Sequence, residues 1–227
     1  MRRHTLLAFL AIAFSGCNAV HNGRRPLPPV PMPPPPRTAN FFKQPTPDKS
    51  LPMRRVAMLP LSGGQVAPEA LRDIGAAFHA ELSKRALFEI VTVSGGELEA
   101  MCGRRQLSSV EPLPAQVLES LREKYGADGV LFTDITHLNA YRPISIGVRA
   151  KLVEIGSGSI SWASDCVYDS GHPATAENAR QFQRQFSDPH RAIPDDGGSV
   201  LISPARFAKF VASATFNSLE PFSRPMQ

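Results

Sequence analysis

Three aspartates are the residues of this sequence whose spacing best suits acid–base chemistry. Asp134 alternates with apolar residues in GVLFTDITHL (129–138), which predicts a strand that buries its carboxyl group. Asp165 and Asp169 lie four residues apart in another strand-like segment, so they share one face of it. Carboxylates brought together in this way can act as general acid and base in an enzyme. Polar residues on the exposed face of a strand give the same pattern, and we favour that simpler interpretation.

The histidines and the glycine-rich segments do not add a second candidate site. His79 falls near the apolar face of a predicted helix and His137 late in a predicted strand, and neither has another His or Cys at metal-ligand spacing. Ser62-Gly63-Gly64 and Ser94-Gly95-Gly96 follow strands, but a phosphate loop would end in Lys and Ser or Thr at a helix start. We therefore predict turns and a helix cap at these segments, no metal, no cofactor and no enzymatic activity.

Two of the three cysteines, Cys102 and Cys166, lie in the region predicted to fold. An oxidising compartment would allow them to form a disulfide bond. Their positions in the sequence do not show that they are close in space, so two buried free thiols are an equal alternative. Both alternatives stay open on the sequence alone.

The third cysteine, Cys17, follows a segment typical of a secretion signal. A basic start, Met1–His4, precedes an apolar run of about ten residues, which is too short to span a bilayer of roughly 30 Å. Ser15 and Gly16 are small residues of the kind that a signal peptidase accepts. The pattern resembles the bacterial lipobox, which implies cleavage between Gly16 and Cys17 and acyl chains on the thiol and amine of Cys17.

The resemblance to the lipobox also implies a location for the mature protein. Asn18 stands where an aspartate would retain a lipoprotein in the inner membrane, so we expect an outer-membrane lipoprotein that faces the periplasm. Several acyl chains anchor a protein far better than one, because each buried methylene contributes about 0.8 kcal/mol. Residues 1–16 are the predicted signal peptide, and the membrane is the first predicted partner.

A proline-rich basic segment separates Cys17 from the rest of the chain. Residues 24–37 read RRPLPPVPMPPPPR, a composition that favours an extended polyproline II helix. A dozen such residues would reach roughly 37 Å. We predict a disordered or semi-rigid tether over residues 17–52. It is either a simple spacer or a docking peptide for a groove that binds polyproline.

Charge is divided unevenly along the chain, whose formal net charge is +5. By counting charged residues, 18–55 carry about +6 and the residues after them about −3. The basic character therefore belongs to the tether, whereas a nucleic-acid-binding domain would carry a basic face. We predict no nucleic-acid partner.

Hydrophobic periodicity predicts one folded domain over residues 53–222, with a short tail at 223–227. Ser94 is expected to cap the second helix and Gly126 to end the third. Short connections join the last three strands, which predicts an antiparallel meander. The predicted fold is an α/β (α+β) sandwich: a single mixed sheet with an antiparallel C-terminal meander and helices packed on it. The predicted strands cover 55–61, 88–93, 129–138, 144–155 and 159–168, and the predicted helices begin near 68, 94, 117, 173 and 204.

Three stretches resemble the CsgG/TolB-amino-terminal-like fold of bacterial envelope proteins. The first comprises VAMLPL, the helix after it and FEIVTV; the others are KYGADGVLFTDITHLN and VRAKLVEIGSGSISWASDCVYDSG. Together they span about residues 54–171. The resemblance implies an α/β periplasmic domain of the kind found in secretion-pore subunits, penicillin-binding-protein activators and accessory lipoproteins.

We therefore expect a membrane-anchored, non-catalytic accessory or binding module of an envelope machine for secretion, wall synthesis or envelope stability. Its expected partner is an envelope protein or peptidoglycan, and a homo-oligomer is a further possibility. Two alternatives are a periplasmic enzyme with a small carboxylate site at Asp134, Asp165 and Asp169, and an oligomeric export-channel subunit.

Overall fold

A mixed six-stranded sheet with helices on both faces forms the domain in a computed structural model, which describes residues 40–43, 53–111, 114–186 and 197–219. The strands are β1 (Asn40–Lys43), β2 (Arg55–Met58), β3 (Glu89–Thr92), β4 (Gly129–Asn139), β5 (Ser145–Glu154) and β6 (Ile160–Asp169). The helices are α1 (Pro68–Lys84), α2 (Gly95–Cys102), α3 (Ala115–Tyr125), α4 (Pro173–Arg184) and α5 (Pro204–Phe216), with a 3₁₀ turn at Gly198–Leu201.

The strand order β1-β6-β5-β4-β2-β3 confirms the predicted fold class. Strands β4, β5 and β6 form an antiparallel meander through two hairpins. Strand β2 pairs in parallel with both β3 and β4, because each connection between these strands passes through helices. The result is a single mixed sheet whose parallel part comes from the first half of the domain.

Alternating side chains divide the core into two layers, one on each face of the sheet. On the first face α1, α4 and α5 pack over Trp162. The centroid of the Trp162 indole ring lies 6.3 Å from the centroid of the Phe216 phenyl ring. On the second face α2 and α3 pack over β2, β4 and β5, with Phe132 in the centre.

Local signals in the sequence account for the helix ends. Ser94 caps α2 and forms a capping box with Glu97, in which each residue's side chain accepts a hydrogen bond from the other's backbone N–H. Gly126 ends α3 in a left-handed conformation with φ 61°, which glycine adopts without strain. Both predictions are therefore confirmed.

Strand β1 lies inside the segment predicted to be a disordered or semi-rigid tether, residues 17–52. Asn40–Lys43 pairs antiparallel with Trp162–Asp165 at the edge of the sheet. The segment TANFFKQ around this strand contains no proline, and its two phenylalanines suit a strand. The rest of the predicted tether, the signal segment with Gly16 and Cys17, and the tail lie outside the described residues. The predicted domain boundaries stay predictions.

An irregularity in β4 explains one glycine of the meander. The register between β4 and β5 shifts between Ile135 and His137, which brings Thr136 and His137 close to Gly147 on the neighbouring strand. A Cβ atom at Gly147 would lie 2.5 Å from the Thr136 hydroxyl oxygen. A larger residue would therefore force the two strands apart at this point.

Candidate functional site

Asp134 lies at the middle of β4 and is buried, with only 5% of its surface exposed. Its carboxylate accepts hydrogen bonds from the Ser109 backbone N–H at 3.0 Å, from the Ser109 hydroxyl at 2.5 Å and from the Ser108 hydroxyl at 3.0 Å. Both serines belong to the segment between α2 and α3. These three donors satisfy the charge of the carboxylate in place of water, so Asp134 holds residues 103–111 against the sheet.

Lys151 attaches the same segment from the next strand. Its ammonium group donates to the Ser109 carbonyl oxygen and lies 5.0 Å from the centre of the Phe132 ring. Burial lowers the pKa of Lys151, and the nearby charge of Asp134 opposes that change. Asp134 thus accepts a hydrogen bond from the backbone N–H of Ser109, and Lys151 donates one to the backbone C=O of the same residue.

The other two candidate carboxylates have partners of their own. Asp165 on β6 accepts from the Arg149 guanidinium at 2.7 Å, and Arg149 is the register partner of both Asp134 and Asp165. Asp169 accepts from the Gly171 backbone N–H at 2.7 Å, in the turn that leads to α4. The structure places all three on the second face of the sheet, but each carboxylate is engaged in a separate structural interaction. For Asp165 and Asp169, which are partly exposed, this arrangement supports the interpretation as polar residues of a strand face; Asp134 is a buried structural carboxylate.

The glycine-rich segments are turns, as predicted. Ser62 extends β2 by one bridge to Asp134: its backbone N–H donates to Thr133 at 3.0 Å, and its carbonyl accepts from Ile135 at 2.7 Å. The chain then turns at Gly63 and Gly64 into α1. Ser94 forms the cap already described.

His137 is placed by the irregularity in β4 and faces Ser145 on β5. The His137 Nε2 atom lies 2.8 Å from the Ser145 hydroxyl oxygen. The sequence positions of His137 and Ser145 do not predict this contact, because the contact depends on the register shift in β4. Within the described ranges, no group of three His, Cys, Asp or Glu residues is arranged to hold a metal ion.

Cys102 and Cys166 are both free thiols. Cys102 ends α2 on the second face of the sheet, where its thiol donates to the Leu98 carbonyl at 3.3 Å. Cys166 lies on β6 and packs against the core of the first face, where burial raises the pKa of its thiol. The two thiols lie on opposite faces of the sheet and are not bonded to each other in the structure, and each is only partly buried.

A shallow cleft of about 430 Å³ opens beside residues 103–111. Arg104 and Glu111, which both line it, form an ion pair of 2.6 Å. The lining residues are Cys102, Arg104, Leu107, Glu111 and Pro114. Because the two charged groups neutralise each other, the cleft presents no unpaired charge of its own from these residues.

Comparisons with known proteins give similarities of fold only. No protein-family model matches the chain, and no curated protein matches it. The resemblance to the CsgG/TolB-amino-terminal-like family therefore stays a prediction. In the part of the chain that is described, no helix combines the length and apolar character needed to cross a membrane.

Three solved structures illustrate the similarity. Lipoprotein GNA1162 from Neisseria meningitidis is 16% identical, with 52% of this chain and 85% of that chain covered and a TM-score of 0.40. The PelC dodecamer from Paraburkholderia phytofirmans is 14% identical over 78% and 95%, with a TM-score of 0.42. The C-terminal domain of LpoB from Escherichia coli is 14% identical over 53% and 86%, with a TM-score of 0.35. Similarities this distant do not indicate a shared activity or partner.

Proposed function

We propose that this protein is a bacterial envelope lipoprotein whose domain acts as a non-catalytic binding or accessory module. The observation that carries the proposal is Cys17, which directly follows two small residues and a short apolar run with a basic start. Acylation of Cys17 would hold the chain at the outer membrane, and the proline-rich segment would let the domain extend into the periplasm.

The candidate site supports a binding role more than a catalytic one. A general acid or base needs a carboxylate that can exchange protons with a substrate. Asp134 instead has its oxygens occupied by backbone and hydroxyl donors of Ser108 and Ser109. Asp165 is paired with Arg149, so the carboxylates serve the structure of the sheet.

The partner of such a module would be another envelope protein or peptidoglycan. A photo-reactive residue introduced at exposed positions of the domain, followed by crosslinking in cells, would identify it. If the domain is a binding module, we expect one defined envelope component to be crosslinked from a limited set of positions. Uniform background at every position would contradict it.

Replacement of Cys17 tests the anchor on which the proposal depends. In cells fed an alkyne analogue of palmitate, the native chain should carry the label and sediment with membranes. The Cys17→Ala variant should lose the label, and should either leave the membrane fraction or accumulate with its signal uncut. Cys102→Ala is the matched control, since it removes a different thiol and should leave labelling unchanged. A labelled, normally processed Cys17→Ala protein would contradict the proposal.

A further inference from the structure

The hairpin between β4 and β5 presents a fixed tip, residues 140–143. The Asn139 side chain closes it: its amide donates to the Pro143 carbonyl at 2.8 Å, and its carbonyl oxygen accepts from the Tyr141 backbone N–H at 3.2 Å. Tyr141 is nevertheless 83% exposed, more than any other large hydrophobic residue that the structure describes. The tip therefore holds an aromatic side chain out in solvent without packing it.

The residue after Tyr141 is a positively charged arginine, Arg142. Arg142 is exposed, and among the described residues it has no ion-pair partner. The other arginine of the meander, Arg149, differs because it is paired with Asp165. An aromatic ring with a polar end next to an unpaired guanidinium suits the boundary between lipid and water, where tyrosine is enriched and anionic headgroups attract arginine.

The hairpin at the opposite end of the meander has none of these features. Its turn reads Gly156-Ser157-Gly158, with Ser157 donating to Glu154 at 2.7 Å. It offers no aromatic ring and no cation. The two ends of the sheet are thus chemically different, although both are exposed hairpins of one meander.

The register of β1 shows which end of the sheet the first residue of this strand, Asn40, faces. Asn40 is the partner of Asp165 and Lys43 the partner of Trp162, so β1 runs toward the start of β6. The chain therefore enters β1 from the side of the β6 C-terminus. The 140–143 tip lies at that same end, because Ser145 at the base of its hairpin is the partner of Asp169.

We propose that the 140–143 tip is a membrane-surface contact in which Tyr141 enters the interfacial region and Arg142 binds anionic headgroups. The inference rests on the proposed lipid anchor. A single tyrosine and a single arginine bind a bilayer weakly on their own. An anchored chain, however, holds the tip near the surface at a high effective concentration, and the tether sets only the maximum distance.

Tryptophan fluorescence at the two hairpins tests the proposal. The acylated full chain, as Tyr141→Trp or as Gly156→Trp, is reconstituted into vesicles of phosphatidylethanolamine and phosphatidylglycerol whose acyl chains carry bromine, which quenches tryptophan on contact. Gly156 is a matched control, because a side chain there would meet no atom within 4 Å. The native Trp162 is buried and supplies the same background in both variants.

We expect several-fold stronger quenching for Tyr141→Trp than for Gly156→Trp. Adding Arg142→Gln should weaken it with phosphatidylglycerol present and have little effect in vesicles of phosphatidylethanolamine and phosphatidylcholine alone. Equal quenching at the two hairpins, or stronger quenching at Gly156→Trp, would overturn the proposal while leaving the anchor intact. Failure of the chain to float with the vesicles would instead contradict the anchor, and the proposed contact would fall with it.

Discussion

At the scale of one residue, the burial of Asp134 could be predicted from the sequence, but its structural role could not. Alternation with apolar neighbours predicted a buried carboxyl group, and the structure confirms the burial. Its partners, Ser108 and Ser109, are about 25 positions away in a segment without regular structure. Nothing in local periodicity indicates such a contact, because it depends on how α2 and α3 lie on the sheet.

The first prediction concerns the attachment of residues 103–111. Asp134→Ala should lower the free energy of unfolding by about 3 kcal/mol, since it leaves the buried backbone N–H and hydroxyl of Ser109 without an acceptor. Urea denaturation of the purified chain measures this change. Asp73→Ala, at an exposed position of α1, should stay within about 0.5 kcal/mol of the native chain. Equal effects of the two substitutions would show that Asp134 does not hold the segment.

At the scale of elements, strong local signals made most of the fold predictable. Amphipathic periodicity placed α1, the capping box placed the start of α2, and short connections gave the antiparallel meander. Strand β1 was missed because four residues are too few to show alternation and their pairing partner is more than 100 positions away. The surrounding prolines also made a tether the simpler interpretation of that region.

A pair of cysteines tests the position of β1. In a Cys102→Ser, Cys166→Ser background, Phe42→Cys with Ala163→Cys should form an intramolecular disulfide under mild oxidation, because directly opposite residues have Cβ atoms about 5 Å apart. Phe42→Cys with Ser164→Cys is the control, since that register shift places the two side chains on opposite faces of the sheet. Mass spectrometry after digestion measures the fraction linked. Equal linkage of both pairs would exclude the observed register.

The link between α2 and α3 gives a prediction on pH. Hydrogen bonds from the Ser94 backbone and hydroxyl, with Lys124 beside them, lower the pKa of Glu97 from 4.5 to about 2. A carboxyl group whose pKa is lower in the folded state stabilises the fold above its unfolded pKa and loses this effect as pH falls toward the folded value. Glu97→Gln should therefore lower the melting temperature at pH 7, and the difference from the native chain should vanish between about pH 4.5 and pH 2.

Glu123→Gln serves as the control for this pH series. Glu123 is exposed on α3 and has no ion pair among the residues described, so its replacement should barely change the melting temperature at pH 7. A difference for Glu97→Gln that persisted unchanged at pH 2 would show that the carboxylate charge is not the stabilising feature.

At the scale of the whole molecule, the sequence divides into a basic N-terminal part, residues 18–55, and a mildly acidic remainder. With β1 docked on the sheet, the proposed free spacer runs from residue 18 to residue 39. Fully extended as polyproline II, it would reach about 70 Å, shorter than a spacer ending at residue 52. The pairing of β1 with β6 therefore shortens the proposed spacer at its C-terminal side.

The mass of the N-terminal peptide of the mature protein shows directly whether Cys17 is its first residue and is acylated. Protein extracted from membranes with detergent and digested with a protease should yield a peptide that begins at Cys17 and carries the added mass of its acyl chains. Cys17→Ala should yield no such peptide. A mature chain that begins elsewhere, or that begins at Cys17 without acyl chains, would contradict the account of this protein as an anchored envelope lipoprotein.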